Sequence, residues 1–163
     1  MSIVEMMNRL PIEVGEKLKA TEQNPIYHAE GNVYIHTQMV YEEVERLYPD
    51  DTEMLVAAVF HDLGKIDTTF LKTKKDGTTK ISSDGHEFAS LKYLDYYLHL
   101  FEDLVIDKNR VYAMVKYHMK AHLYRGGKIK RPGKIRAFES NKYFEDIMKF
   151  SECDERGRIR ADE

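Results

Sequence analysis

Phe60-His61-Asp62-Leu63-Gly64-Lys65 ends an almost wholly apolar run, Met54-Leu55-Val56-Ala57-Ala58-Val59. A histidine and an aspartate at the end of such a run are carried into the interior. An unsatisfied polar group there costs several kcal/mol. The pair must therefore be hydrogen-bonded, matched by opposite charge or bound to a cation. An imidazole beside a carboxylate is a good donor set for a hydrolytic divalent metal, provided that other parts of the chain supply the remaining ligands.

Around this pair the sequence predicts helices. Thr52 to Asp62 is apolar nearly all round and reads as a central helix. Asp50 or Asp51 caps its start, and Gly64 is suited to the left-handed conformation that closes a helix. Ile35 to Tyr48 precedes it, with Val40, Val44 and Leu47 at helical spacing and Pro49 as its stop. Lys65 to Asp84 is too long and polar for a simple helix connection. Its Thr-rich arms flank Asp76-Gly77, which predicts a β-hairpin between Thr69 and Ile81. Helices resume at His86 to His99, Lys108 to Ala121 and Asn141 to Asp154. Gly126-Gly127 and Arg131-Pro132-Gly133 predict a flexible basic loop between the last two. The expected fold is all-α, a helical bundle with a small β-hairpin insertion after the central helix.

Helical phase then separates buried polar groups from surface ones. His118 is in register with Val111 and Val115, and His122 continues that stripe. His86 begins a stripe through Ser90, Tyr93 and Tyr97, and Asp154 ends one formed by Phe144, Ile147 and Ser151. His36 is in phase with Val40, Glu43 and Leu47. Residues at these spacings share a helix face. A single core-facing histidine is ordinarily just hydrogen-bonded. Five or six convergent titratable groups are different, because a dry core does not accept them without a compensating charge. A cation is the economical compensation. His99 and the lone Cys153 carry no such signal and read as packing or surface, and as a small filler. His28, close in sequence to His36, is placed to reach the rim of a site.

Composition bounds the rest. The chain has 163 residues, 42% of them hydrophobic and 33% charged, which suits one soluble domain spanning 1–163. One cysteine excludes a disulfide framework and a Cys-based zinc site, and points to a reducing compartment. No apolar run approaches the roughly 20 residues of a bilayer span, and the N-terminus lacks the build of a signal peptide. A cytoplasmic location is expected, with no membrane partner. The net charge of −3 is unevenly spread. From Lys108 to Phe138 there are ten Lys and Arg and no acid, which leaves −13 for the remainder. Such segregation reads either as a surface for an anion or as a solvated loop balancing acidic helices.

The ordered set His36, His61-Asp62 and Asp154 resembles the H…HD…D signature of the HD superfamily of metal-dependent phosphohydrolases, over a core of about 27–158. Finer features are similar to the HD domain of bacterial tRNA nucleotidyltransferases. These are Tyr27-His28-Ala29-Glu30-Gly31-Asn32 leading to His36, the Thr-rich hairpin after His61-Asp62-Leu63-Gly64-Lys65, Gly85-His86-Glu87, and the closing Asp154-Glu155-Arg156-Gly157-Arg158. No Gly-Ser segment followed by paired aspartates precedes this region, so nucleotide addition is not expected. The HDxxED pattern of guanosine tetraphosphate hydrolases and the HHE and GYP elements of cyclic-di-GMP phosphodiesterases are missing.

The resemblance implies that His36, His61, Asp62 and Asp154 hold one divalent ion (Mn, Ni, Co, Mg, Fe or Zn). His86 and His118 stand where two-metal relatives bind a second. Asp62 is the candidate catalytic residue, as a metal bridge or as a proton acceptor. Lys65 is either a neutraliser of a phosphate oxygen or a helix-end cation favoured by the dipole. His28, His122, Arg125, Arg156 and Arg158 are candidate substrate contacts, arginine being suited to bidentate phosphate binding. The implied activity is phosphomonoesterase or phosphodiesterase on nucleotides, 2′,3′-cyclic phosphates or RNA ends. The alternative is a metal-containing RNA- or nucleotide-binding module with little catalysis.

Overall fold

The computed structural model describes residues 1–162. Helices α1 (Ile3–Met7) and α2 (Ile12–Ala20) lead into α3 (Val33–Leu47) and α4 (Thr52–Phe60). The short α5 (Lys65–Thr68) precedes an antiparallel hairpin, β1 (Phe70–Thr73) and β2 (Thr79–Ser82). Helix α6 (His86–Tyr97) runs into a 3₁₀ turn (Leu98–Phe101), followed by α7 (Lys108–Arg125), α8 (Pro132–Glu139) and α9 (Phe144–Arg156). The all-α bundle with one small hairpin is the fold expected from the sequence.

Local chemistry starts the long helices where they begin. Asn32 accepts from the Ile35 N–H ahead of α3, Asp51 from the Met54 N–H ahead of α4, and Asp107 from the Asn109 N–H ahead of α7. Each relieves an orphan donor of a first turn. Helix α4 is buried from Met54 to Phe60, as its all-round apolarity requires. It packs against α3 and α7, with α1, α6 and α9 also touching it. Val40, Val44, Val59, Phe60, Leu94, Met114, Val115 and Phe150 share one core. The N-terminal helices join the same core through Met6, Leu10, Val14 and Leu18.

Three local expectations need correction. Gly64 is right-handed, with φ −62° and ψ −18°. Glycine is required there because α6 crosses it: an added Cβ would lie 2.2 Å from the His86 carbonyl oxygen and 2.5 Å from the Ser90 nitrogen. The basic segment is not wholly loop, since Pro132 occupies the first turn of α8, where its fixed φ and missing N–H suit a helix start. Helix α7 continues past Ala121 to Arg125 and so carries His122. The hairpin forms as expected about Gly77, whose φ of +86° is one that side-chain-bearing residues avoid. His99 is exposed and Cys153 is fully buried.

Candidate metal centre

Five helices bring six of the predicted residues to one buried point. His36 comes from α3, His61 and Asp62 from the turn ending α4, His86 from the first residue of α6, His118 from α7 and Asp154 from α9. All six are buried. They sort into two groups, His36-His61-Asp154 and Asp62-His86-His118, and within each group the ligand atoms lie within 4.8 Å of one another.

Asp62 spans the two groups with one oxygen each. Its Oδ2 is 3.5 Å from His36 Nε2 and 3.4 Å from His61 Nε2. Its Oδ1 is 3.0 Å from His86 Nε2 and 3.6 Å from His118 Nε2. Asp154 Oδ1 completes the first group, 2.8 Å from His36 Nε2 and 3.5 Å from His61 Nε2.

The histidines are oriented by the backbone. Nδ1 lies within hydrogen-bonding distance of a carbonyl in all four: His36 to Gly157 (2.9 Å), His61 to Ala58 (2.7 Å), His86 to Ser83 (3.0 Å) and His118 to Val115 (2.6 Å). A carbonyl can only accept, so each Nδ1 carries a proton and each ring turns its Nε2 inward. His86 and His118 then face each other Nε2 to Nε2 at 3.1 Å. Two lone pairs at that distance need a proton or a metal ion between or beside them. His61 Nε2 and Asp62 Oδ2 are buried and have no hydrogen-bond partner among the described residues. Orphaned inward donors with fixed Nδ1 tautomers are the arrangement of metal-ligating histidines, and the residues present fit a divalent ion.

Electrostatics agree. Burial acts against both carboxylates, but His61, Lys65 and His86 hold Asp62 well below the usual carboxylate range, and Arg158 with His122, His36 and His61 does the same for Asp154. Burial works against charge on His61, yet Asp62 and Asp154 push it up to about 10. Burial pushes His118 down to about 4. The carboxylates thus favour positive charge in the first group, and burial favours a neutral imidazole at His118.

The family comparison enters on this geometry. A family model described as HD domain matches residues 32–146. The chain belongs to the HD domain family. No curated protein matches it by sequence. The matched segment contains five of the six residues. Asp154 lies beyond it and is placed by its contacts with His36 and His61. HD domains are metal-dependent phosphohydrolases as a family.

The remaining predicted residues are distributed unevenly around the HD pair. Lys65 is buried, with Nζ 3.0 Å from Asp62 Oδ2 and donating to Gln23 Oε1 at 2.8 Å. His122 Nε2 meets Asp154 Oδ2 at 2.6 Å, while Ser151 Oγ lies 3.3 Å from its Nδ1. With Nε2 donating, its tautomer is the reverse of the other four, and it clamps the carboxylate. Arg158 is 3.4 Å from Asp154 Oδ1, and Arg125 reaches the cleft over the site. His28 packs edge-on against His36, ring centroids 4.7 Å apart. Arg156 is not brought there: it pairs with Glu152 on the exposed side of α9. Arg110 also leaves the basic group, since it binds Asp51 and Asp146 and ties α7 to α4 and α9.

Three supporting residues were not singled out in the sequence. Glu30, its side chain 1% exposed, sets Oε2 2.9 Å from His28 Nδ1 and 3.1 Å from His36 Nδ1, and Oε1 accepts from the Ile159 N–H. Ser90 donates to the His61 carbonyl and accepts from the Gly64 N–H, fixing the HD turn on α6. Its place on the His86 stripe was the available signal. Glu30 and Gln23 lie in irregular segments, where periodicity gives none.

Proposed function

We propose that this HD domain hydrolyses a phosphate ester of a nucleotide, a 2′,3′-cyclic phosphate or an RNA end with the help of one or two divalent ions. The observation that carries the reading is Asp62, one oxygen turned to each of two histidine groups whose Nε2 atoms point inward. When bound, a divalent ion supplies Lewis acidity and lowers the pKa of a coordinated water.

His36, His61 and Asp154 would hold one ion, His86 and His118 a second, and Asp62 would bridge them. The protein's other groups have separable tasks. Lys65 donates to Gln23 Oε1 and pairs in charge with Asp62 Oδ2, which leaves N–H donors for a phosphate oxygen at the cleft floor. Arg158 offsets the charge of Asp154 and lines the same cleft. His122 keeps Asp154 from rotating. The hairpin and closing motifs, which resemble those of tRNA nucleotidyltransferase HD domains, support the nucleotide or RNA-end substrate class.

The test is metal content and turnover together. The purified protein is expected to carry bound divalent metal that Asp154→Ala loses. With Mn, Ni, Co or Mg it is expected to hydrolyse bis-p-nitrophenyl phosphate, a 2′,3′-cyclic nucleotide or a nucleoside monophosphate. Hydrolysis that survives Asp62→Ala would sink the site assignment. Metal retained without turnover of any of these would favour the binding module.

A further inference from the structure

His86, Lys65 and His122, at the candidate metal centre, line a cleft of about 1540 Å³, several times the volume of one phosphate ester. Its far wall is the basic stretch between α7 and α8. Lys128, Lys130, Arg131 and Lys134 line it, all exposed, and none makes an ion pair among the described residues. Acids in the cleft are confined to Asp84, Glu87 and Glu155. Four unpaired cations beyond the metal ligands are more than one scissile phosphate can use. A row of phosphates satisfies them.

The same cleft exposes flat apolar groups. Phe88 is 58% exposed and Tyr27 49% exposed, and both line it with Tyr117. The Tyr117 ring lies 5.2 Å from Lys116 Nζ and 5.9 Å from Lys120 Nζ. Exposed aromatic faces alternating with cations are the chemistry that binds single-stranded nucleic acid, with bases stacking while the backbone follows the positive groove. Paired bases in a duplex hide their faces, so stacking of this kind selects single strands.

Resting on the phosphoesterase reading, we infer that the substrate is a single-stranded polynucleotide whose reacting phosphate sits at the His61-Asp62 centre while its following nucleotides run along the α7–α8 wall. A mononucleotide would fill only the floor of the cleft. The strand adds phosphate contacts at Lys128, Lys130, Arg131 and Lys134 and stacking on Phe88.

The experiment is fluorescence anisotropy on the full chain in EDTA, with a labelled 12-nucleotide RNA, the matching DNA and the blunt RNA duplex, and unlabelled AMP as competitor. Binding of a single strand at least tenfold tighter than AMP and than the duplex is expected, and the tighter of RNA and DNA names the source. The quadruple Ala variant at residues 128, 130, 131 and 134 is expected to keep its melting temperature and lose at least tenfold in strand affinity. Its plot of log affinity against log salt is expected to flatten by about 3, from roughly 0.7 per phosphate contact. Phe88→Ala is expected to lose at least fivefold. A strand bound no tighter than AMP, a duplex bound as tightly, or a quadruple variant with wild-type affinity overturns the inference. Wild-type hydrolysis of bis-p-nitrophenyl phosphate with Mn separates the two failures: turnover with no strand preference overturns the track alone, and absence of turnover overturns the phosphoesterase reading.

Discussion

Gly64→Ala is a one-methyl test of how the candidate metal centre is held. The added Cβ would stand 2.2 Å from the His86 carbonyl oxygen, 2.5 Å from the Ser90 nitrogen and 2.8 Å from the Ala89 Cβ. Real Cβ contacts essentially do not occur under 3.0 Å, and two of these neighbours are backbone atoms of α6 that cannot rotate away. The first turn of α6 must therefore retreat by at least 0.8 Å, from 2.2 to 3.0 Å. That turn carries His86, whose Nε2 is 3.0 Å from Asp62 Oδ1. It also carries Ser90, which links the Gly64 N–H at 2.8 Å to the His61 carbonyl at 2.9 Å. Overpacking of about 1–3 kcal/mol plus about 1 kcal/mol for a weakened buried hydrogen bond gives an expected loss of roughly 2–4 kcal/mol. Displacing His86 from Asp62 is expected to weaken metal binding about 10- to 100-fold, the range seen when support of a ligand is removed. Urea unfolding and titration with Mn²⁺ measure the two effects. Gly77→Ala is the control: nothing lies within 4 Å of its added Cβ, and only the φ of +86° is strained, so it is expected to cost about 1–2 kcal/mol and leave metal affinity unchanged. Gly64→Ala with a wild-type urea midpoint and wild-type Mn²⁺ affinity would refute the close-approach argument.

Glu30→Gln keeps the size of a buried side chain but removes the charge that both His28 and His36 face. A 10- to 100-fold loss of metal affinity is expected from that support, read by titration, with the fold retained by circular dichroism. Wild-type affinity would mean that Gly157 alone orients His36. Arg110→Met is expected to lose about 2 kcal/mol, because Arg110 makes charged hydrogen bonds to Asp51 and Asp146. Burial opposes ionisation of Asp51, but Arg110 outweighs it and holds the group below its ordinary 3.8. The stability that this depressed group contributes is present above about pH 4 and is lost as pH falls through its folded value. Acid titration of wild type and variant should therefore converge below pH 4, and parallel curves would remove Asp51 from the account.

Much of the centre was legible because helical phase is a local property. Spacing alone put His36, His86, His118 and Asp154 on the faces of their core residues, and the apolar run did the same for His61-Asp62. The Asp76-Gly77 hairpin followed from turn chemistry that needs no tertiary partner. The acid-free stretch was legible only as a charge count. Its cations separate in the fold, with Arg110 in a structural ion-pair cluster and Lys128 to Lys134 on the open cleft. Arg156 and Arg158 differ by two positions in one motif, yet one faces Glu152 outside and the other Asp154 inside.

The sequence by itself determined the elements, their buried faces and the kinds of ligand those faces carry, since these depend on residues a few positions apart. Tertiary packing decided which oxygen of Asp62 meets which histidine, why Gly64 must lack a side chain, and that Glu30 stands behind His36. It also decided that His122 clamps Asp154 with the reverse tautomer. Those features rest on contacts between groups as far as 56 residues apart, as Asp62 and His118 are. Orientation at a hydrogen bond is set to tenths of an ångström by the packing of helices, and no spacing within one helix encodes it.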